Sequence, residues 1–400
     1  MKVVVAIDSF KGSMTSVQAG NACKEGILAA VHAHCGDGAA AAKDRKPAAD
    51  NMNVVVKPLA DGGEGTVEAL VEGMSGTYEY VTVTDPMGNP VKARYGILTD
   101  QTAVMEMAEA SGITLVKEPL NPWKAASTGV GEMILDAVQK GCRKFIIGIG
   151  GSATTEGGIG MLSALGYDFM DENGDILPPV FASLEKVVQI ENNRVPEVLK
   201  DCHFQIACDV TNPLCGVEGC VYVFGAQKGV KEEEKESMDR AMQSYAACLE
   251  KFTGKKLSEI PGTGAAGGLG FAFLWGLPNV ELKPGIDIVL EAVGLASELQ
   301  DADIVVTGEG CLDFQTAMGK VPVGVAKAAK QYGCEVIAFA GSVTEEAKKC
   351  NEKGIDAFFS ILLGVCSLDE AMDTEIAQKN MRNAAEQVFR LVLDLYEHKT

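Results

Sequence analysis

Four glycine-rich segments of the sequence combine backbone amides with side chains that could bind an anion. Each follows a run of apolar residues typical of a buried strand and precedes a pattern typical of a helix. The segments span residues 8–13, 61–66, 148–158 and 307–313. Glycine allows backbone N–H groups to approach a phosphate closely, and the N-terminus of a following helix adds partial positive charge. Segments of this type are suited to binding phosphate groups.

Every one of the four segments also contains an acidic residue. Carboxylates beside phosphate-binding amides are favourable mainly when Mg²⁺ lies between the two sets of negative charge. A single segment of this kind is more often a tight turn in which an Asp or Ser caps a helix. Together, however, the four segments indicate a nucleoside triphosphate that binds with a divalent cation.

Two charged side chains are candidates for direct roles in chemistry. Lys11 is the only lysine in the four segments, so it is the candidate to neutralise phosphate charge, with a solvated surface lysine as an equal alternative. Asp209 directly follows the apolar run 204–208, which predicts a strand, and precedes Asn212-Pro213. A carboxylate at the end of a strand could act as a general base in a cleft, or it could cap a turn.

Other chemistries are disfavoured by composition and by missing motifs. The 35 basic and 55 acidic residues give a formal net charge of −20, which opposes binding to nucleic acid and to acidic membrane surfaces. The sequence contains no P-loop, no protein-kinase catalytic loop and no nucleophile elbow. Its four histidines form no zinc motif, and its 12 cysteines include no C-x-x-C pair. Catalysis should therefore depend on carboxylates, Lys, Ser and Thr.

The apolar residues are spread along the chain. No run is long enough for a membrane span, and the N-terminal run is too short for the core of a signal peptide. We therefore expect a soluble cytoplasmic protein with reduced cysteines.

The main alternative function is that of an NAD-dependent oxidoreductase acting on a small hydroxy acid. Gly148, Gly150 and Ala153 have the spacing of a dinucleotide fingerprint after a predicted strand, and Asp168 follows at about the expected distance. Further glycines interrupt the helix that such a site requires, which makes this the weaker interpretation. A non-catalytic ligand sensor is a third alternative, but nothing in the sequence resembles a DNA-binding module.

The elements that must position these residues follow a strand–helix rhythm at both ends of the chain. Two such units at the start and three at the end predict one five-stranded parallel sheet. Alternating residues at 78–84 and 91–98 flank a turn and predict an antiparallel hairpin, which interrupts the rhythm. We therefore expect a discontinuous two-domain α/β protein with its site in the cleft. The first domain is predicted from residues 1–74 and 300–400, and the inserted domain from residues 75–299.

Helices are predicted where apolar residues recur with helical spacing. The clearest are 127–140 and 232–252, and a further helix is expected over 344–351. Ser367 and Glu370 have the spacing of a capping box for a long terminal helix. The inward stripe of that helix is predicted to be Met381, Ala384, Val388, Leu391 and Leu395.

Six segments, taken in order, resemble the bacterial glycerate kinase family, the type that phosphorylates glycerate at the 2-position. They are residues 6–13, 58–66, 148–158, 207–214, 264–270 and 306–310. The resemblance runs essentially from end to end, and only the alanine-rich stretch 34–51, read as a surface loop, is longer than expected. It implies an α/β fold of two domains, with a flavodoxin-like doubly wound parallel sheet built from both chain ends and an inserted α/β domain with a mixed sheet.

The resemblance also implies an activity, the transfer of the γ-phosphoryl group of ATP to a hydroxyl of D-glycerate with Mg²⁺. The expected products are 2-phosphoglycerate and ADP. The partners would be glycerate and a nucleotide, with no nucleic acid and no membrane, and the sequence leaves a monomer or a homodimer open.

Roles for individual residues follow from the same resemblance. Asp209 would accept the hydroxyl proton, and Lys11 with the amides of Gly12 and Ser13 would hold an anion, either a phosphate or the glycerate carboxylate. The further nucleotide-binding candidates are Gly150, Gly151, Ser152, Thr154, Gly308 and Glu309. The substrate-binding candidates are Ser9, Asp61, Gly62, Gly63 and Glu64. Asp313 is the metal candidate, and Asp61, Glu64 and Glu309 could serve either metal or substrate.

Overall fold

The computed structural model describes residues 1–36, 52–117 and 119–397. The chain divides into two compact units, one formed by Met1–Asp61 with Val289–Thr400 and the other by Gly62–Ile288. Most of the predicted alanine-rich loop, residues 37–51, lies outside the described residues.

The regular elements alternate between strands and helices along much of the described chain. The strands are β1 (Lys2–Val5), β2 (Asn53–Val56), β3 (Thr77–Thr84), β4 (Pro90–Ile97), β5 (Thr102–Glu106), β6 (Lys144–Gly148), β7 (Asp168–Met170), β8 (Gln189–Glu191), β9 (His203–Ala207), β10 (Val280–Lys283), β11 (Ile304–Leu312), β12 (Glu335–Val343) and β13 (Ala357–Ser360). The α-helices are α1 (Ser16–Gly36), α2 (Thr66–Gly73), α3 (Ala108–Ser111), α4 (Thr128–Gln139), α5 (Ile159–Ala164), α6 (Cys220–Phe224), α7 (Lys235–Thr253), α8 (Ala265–Gly276), α9 (Gly285–Ala292), α10 (Leu295–Leu299), α11 (Phe314–Ala317), α12 (Val321–Lys330), α13 (Leu368–Met372) and α14 (Thr374–Glu397). Short 3₁₀-helices lie at Ile113–Leu115, Phe181–Lys186, Glu197–Asp201, Ala226–Lys228, Glu232–Glu234 and Glu345–Lys353.

The first unit is built on a five-stranded sheet with the order β13-β12-β11-β1-β2. All neighbouring strands pair in parallel. This is the flavodoxin-like doubly wound order, so the parallel sheet predicted from the two chain ends is confirmed. Val3, Val4 and Val5 of β1 are all fully buried, which is the pattern of a strand covered on both faces.

Helices α1 and α14 pack against each other beside this sheet. At their crossing, a Cβ on Gly26 would lie 2.2 Å from the carbonyl oxygen of Arg382, so the close approach requires glycine. The buried stripe of α14 is Ala377, Met381, Ala385, Phe389 and Leu393. The predicted stripe followed a heptad spacing. It was correct at Met381, and Ala384 and Val388 pack half-buried against the core, but it was wrong at Leu391 and Leu395, which are exposed. The helix instead presents a ridge of residues four apart, as in packing of ridges into grooves.

Two other local predictions require correction. The capping box of Ser367 and Glu370 is formed, but it begins the short helix α13. The extended backbone of Asp373 separates that helix from α14. The helix predicted over 344–351 is instead a 3₁₀-helix, whose buried residues Ala347 and Cys350 lie three positions apart, in step with three residues per turn.

The second unit contains a six-stranded mixed sheet with the order β10-β9-β6-β5-β4-β3. Strands β10, β9, β6 and β5 pair in parallel, whereas β4 pairs antiparallel with both β5 and β3. The predicted hairpin is therefore confirmed as β3 and β4. The rings of Phe145 and Phe204 stack at 4.7 Å in the core, which anchors β6 to β9. The helices expected near 127–140 and 232–252 are α4 and α7, the latter preceded by one 3₁₀ turn.

The division between the units differs from the predicted domain boundaries. The predicted boundaries follow residues 74 and 299, whereas the structural division follows Asp61 and Ile288. Helix α2 accounts for the first difference, because the Val67 N–H donates to Glu106 Oε1 of β5 at 2.9 Å. This bond ties α2 to the mixed sheet.

In the described residues, no helix is both long and apolar enough to span a bilayer. The cysteines whose side chains are described are free thiols.

Candidate active site

The first unit has a cavity of about 380 Å³ at the carboxyl ends of its parallel strands. Its lining includes the segment after β1, the end of β11 and part of β12. In a doubly wound sheet, ligands bind at the point where the strand order reverses, which here is the edge between β1 and β11. The candidate residues that line this cavity are Ser9, Lys11, Ser13, Asp61, Glu309 and Asp313.

Four carboxylates and two lysines line this cavity, which gives it a net negative character. Asp8 follows β1 and is buried, and one of its oxygens accepts the Ser9 N–H at 2.6 Å. Burial, with a contribution from the charge of Asp61, raises the pKa of Asp8 to about 7. Burial also raises the pKa of Glu309, whose side chain accepts a hydrogen bond from the Thr316 hydroxyl. A carboxyl group that titrates near neutral pH could accept or donate a proton during turnover.

Asp8 was not singled out as a site residue from the sequence. The available signal was its position directly after a buried strand, the same signal that identified Asp209. What the sequence could not show is how deeply Asp8 is buried and that Asp61 lies near it, and these two features raise its pKa.

The shifted pKa predicts a pH-dependent effect of replacing Asp8 with asparagine. A carboxyl group whose pKa is higher in the folded state than in the unfolded chain destabilises the fold increasingly as pH rises from about 4 to about 7. We expect Asp8→Asn to raise the free energy of unfolding above pH 7, by on the order of 1–3 kcal/mol, with little effect near pH 4. Urea unfolding of both proteins at pH 4.5 and pH 8 measures this difference. An equal effect at the two pH values would refute the assigned titration.

The loop after β1 offers anion-binding groups beside these carboxylates. Lys11 is largely exposed, and its Nζ lies 3.4 Å from Asp61 Oδ2. An exposed ion pair of this length adds little stability, so the ammonium can exchange partners at low cost. The Ser13 hydroxyl oxygen is buried and has no hydrogen-bond partner among the described residues. A ligand oxygen would satisfy this hydroxyl, so Lys11 and Ser13 fit an anion.

Two other candidates in this unit have clear structural roles. Gly308 lies inside β11, where a Cβ would approach the Phe339 carbonyl oxygen to 2.3 Å, so strand packing alone requires glycine. Asp313 Oδ1 accepts the N–H groups of Gln315 and Thr316 and thereby caps α11. The turn-and-cap interpretation therefore applies to Asp313, although the residue also lines the cavity.

The carboxylates of this cavity do not form a metal site made of protein ligands alone. They are better suited to Mg²⁺ that is also bound by phosphate oxygens. In the described residues, no three His, Cys, Asp or Glu side chains are grouped so that they could hold a metal ion. Mg²⁺ commonly takes one or two carboxylates and completes its shell with phosphate oxygens and water. Asp61 and Glu309 provide oxygens of this type at the first cavity.

The second unit has a separate cavity of about 510 Å³. It lies at the carboxyl ends of β6 and β9. Six of the candidate residues line it, and these are Gly62, Gly63, Gly150, Gly151, Ser152 and Asp209. The Gly285 N–H donates to Asp209 Oδ1 at 2.9 Å, which fixes the orientation of this exposed carboxylate. A glycine-rich loop and a candidate base therefore line the same cavity.

The glycines of segment 148–158 serve two different purposes. A Cβ on Gly150 would meet only Gly63 Cα, at 3.9 Å, so packing does not require glycine at that lining position. Gly158 instead packs so closely on α8 that a Cβ would lie 2.2 Å from Ala272 Cβ. Helix α5 is only six residues long, so the helix-dipole contribution expected after this segment is small.

Besides Gly308, three further candidates lie outside the lining of both cavities. Gly12 adopts a φ of +79° that supports the turn after β1, and Glu64 is exposed. Thr154 is fully buried behind the glycine-rich loop, and its hydroxyl has no partner among the described residues.

Lys228 is a cavity residue that the sequence did not reveal. It is 3% exposed, and its Nζ donates to Ser152 Oγ at 2.6 Å and to the Thr154 carbonyl oxygen at 2.7 Å. Burial lowers the pKa of Lys228 to about 8. No motif surrounds Lys228, and only the fold brings it to the glycine-rich loop.

The dinucleotide interpretation fails on the structure. Asp168, the acidic residue of that fingerprint, lies in β7 and forms an ion pair with Arg194. Strand β7 belongs to a separate two-stranded sheet with β8. The helix after the glycine-rich loop is also too short for the βαβ unit that binds a dinucleotide.

Together, the doubly wound sheet and the two polar cavities define an α/β protein of the class that binds ligands at the carboxyl ends of its strands. The sequence model of the glycerate kinase family matches residues 3–393. The chain belongs to the glycerate kinase family and is a kinase.

The relatives support the same assignment. Glycerate kinase from Bacillus subtilis is 41% identical over 96% of this chain and 97% of that protein. Glycerate 2-kinase from Escherichia coli is 41% identical over 93% of each chain. A crystal structure from Salmonella typhimurium LT2, described as a glycerate kinase 2, has a TM-score of 0.86 and 40% identity and covers 98% of both chains. The predicted family and fold class are thereby confirmed.

Proposed function

We propose that this chain transfers the γ-phosphoryl group of ATP to the 2-hydroxyl of D-glycerate, with Mg²⁺, to give 2-phosphoglycerate and ADP. The observation that carries the proposal is the shared cavity of the glycine-rich loop and Asp209. A phosphate cradle and a general base are the two protein parts that phosphoryl transfer to an alcohol requires. The 2-position is supported by the Escherichia coli relative, which is named for it.

Asp209 would act as the base that accepts the proton of the attacking hydroxyl. The hydrogen bond from Gly285 uses one lone pair of Oδ1 and holds the carboxylate in one orientation. A positioned base of this kind contributes roughly 10²- to 10⁴-fold to the rate.

Backbone amides of Gly150 and Gly151 and the hydroxyl of Ser152 would surround the phosphates of the nucleotide. In the first unit, Lys11 and Ser13 would hold an anionic group, either a phosphate or the glycerate carboxylate. Mg²⁺, with Asp61, Glu309 and Asp313 as the candidate carboxylates, would neutralise phosphate charge when bound.

Gly150→Ala tests the cradle without disturbing the fold. The φ of Gly150 lies outside the left-handed region, and the added Cβ would meet no protein atom closer than 3.9 Å. We therefore expect a change of less than about 0.5 kcal/mol in unfolding free energy. Because the methyl group would occupy ligand space, ATP affinity should fall roughly five- to a hundredfold. Calorimetric titration with ATP measures this loss.

The control for this variant is Gly364→Ala, where a Cβ also finds open space but no cavity residue is involved. It should bind ATP as tightly as the wild type. Unchanged ATP affinity in Gly150→Ala would remove Gly150 from the cradle.

³¹P NMR of the enzyme with ATP, Mg²⁺ and D-glycerate tests the reaction itself, because it reports both transfer and position. A 2-phosphoglycerate signal is the expected result. A 3-phosphoglycerate signal would keep the kinase activity and overturn the position, and no transfer to glycerate would overturn the assigned acceptor.

A further inference from the structure

We infer that the Lys228 ammonium group binds the phosphate groups of the nucleotide, and that Ser152 and the Thr154 carbonyl hold it in place beside the glycine-rich loop. This inference rests on the proposed function, since it assigns a cation to the same phosphate cradle. It also assigns a ligand-binding role to Lys228, a side chain of the second cavity that lies in none of the segments identified from the sequence.

The first argument is the absence of an anionic partner for a buried cation. Both hydrogen-bond acceptors of Lys228 are neutral, a hydroxyl and a backbone carbonyl. Among the described residues, no carboxylate lies within ion-pair distance of its Nζ. Buried ammonium groups are costly unless a negative charge compensates them. An anionic ligand would supply that charge.

Glu156 is the buried carboxylate whose charge acts on Lys228, but it forms no hydrogen bond or ion pair with the ammonium group. Glu156 is fully buried, and its Oε1 accepts the Ser127 N–H at 2.9 Å and the Gly160 N–H at 3.3 Å. These bonds join the starts of α4 and α5 and do not include Lys228. Burial raises the pKa of Glu156, which favours its uncharged form, so a ligand anion would still stabilise the ammonium group.

The second argument is the charge of the cavity. Of the described residues that line it, Lys228 is the single cation and Asp209 the single anion. A polyanion placed beside Asp209 in a chain of net charge −20 needs positive charge close by. Backbone amides and Lys228 are the available sources within this cavity.

The third argument is the number of donors. An ammonium group has three N–H bonds, and Ser152 and Thr154 accept two of them. The third has no acceptor among the described residues, so a phosphate oxygen can accept it without breaking the two existing bonds. The lowered pKa of about 8 agrees with this geometry, because burial without an anionic partner favours the neutral amine.

The test compares Lys228→Met with the wild type by calorimetric titration of the full chain with ATP, tripolyphosphate and adenosine. Methionine keeps a linear side chain for packing and removes the charge. We expect affinity for ATP and for tripolyphosphate to fall roughly ten- to a hundredfold, with adenosine affinity unchanged. Lys200→Met, at an exposed position paired only with Glu197, is the matched control and should bind all three like the wild type.

The outcomes separate the two claims. If the Lys228→Met variant is folded and its ATP affinity is within threefold of the wild-type value, the inferred role of Lys228 is overturned. An equal loss for adenosine and ATP would overturn it too, because it would show that the lysine only shapes the loop. If the wild type binds tripolyphosphate through Lys228 but not ATP, the proposed function fails while the anion site stands. If the wild type binds neither, both fail.

A structure of the wild type with a non-hydrolysable ATP analogue removes any dependence on the folding of the variant. The expected result is Lys228 Nζ within about 2.7–3.2 Å of a phosphate oxygen. An ammonium group that remains bonded only to Ser152 and Thr154 would overturn the inference.

Discussion

Replacing Asp209 with asparagine is expected to lower kcat by at least about a hundredfold, while ATP affinity stays within a few-fold of the wild-type value. The structure indicates that this substitution changes the chemistry of the side chain and leaves its position unchanged. Asparagine keeps the oxygen that accepts the Gly285 N–H, so the side chain can retain its orientation. What it loses is the ability to take up a proton. The effect should therefore appear in kcat, which a coupled assay for ADP release measures at saturating glycerate.

The control for Asp209 is Asp201→Asn, which removes an exposed carboxylate before β9 and should leave kcat unchanged. Titration of both variants with ATP separates a loss of catalysis from a loss of binding. Turnover of Asp209→Asn close to that of the wild type would exclude Asp209 as the base. The next carboxylate to test would then be Asp8, since its pKa of about 7 suits proton transfer near neutral pH.

The fold was predictable because its signals are local and repeated. Short, continuous β-branched runs such as 3–5 and 304–306 are typical of buried parallel strands, and the helical patterns between them indicate crossover connections. The flavodoxin-like strand order was expected only from the resemblance to the glycerate kinase family, because right-handed crossovers fix the face on which each helix lies and not the order of the strands. The register of α14 was not predictable in the same way, because the partner helix α1 selects which apolar residues face inward.

The candidate site was predictable where residues follow strand ends directly. Lys11 and Asp61 line one cavity, and Gly150 and Asp209 line the other, because parallel strands deliver such residues to the same edge of a sheet. Lys228 follows no strand and has no motif, so only tertiary packing reveals it.

A high glycine content alone does not identify a phosphate-binding segment. Gly308 suggested a phosphate-binding turn, yet its lack of a side chain serves the pairing of β11 with β12. The spacing of glycines therefore indicates where the backbone approaches other atoms closely. Only the structure shows whether the space beside each glycine is filled by protein atoms or is open to a ligand.

Gly158→Ala is the substitution for which we expect the largest loss of stability among those considered. Its φ of +72° costs a non-glycine residue roughly 1–2 kcal/mol, and the added Cβ would lie 2.2 Å from Ala272 Cβ of α8. Overpacking of this kind costs about 1–3 kcal/mol more. We expect a combined loss of about 2–5 kcal/mol in unfolding free energy, measured by urea denaturation.

Gly141→Ala separates the two contributions. Gly141 also has a positive φ, of +98°, but a Cβ there would meet no atom within 4 Å. This variant should lose only the backbone contribution of about 1 kcal/mol, so the difference between the variants measures the close packing of Gly158 on α8. Equal losses would mean that α8 moves aside at little cost. A larger loss at Gly158 would show that packing fixes the C-terminal end of the glycine-rich loop. Gly150 and Gly151, near the start of the loop, would then be the part that can bind a ligand.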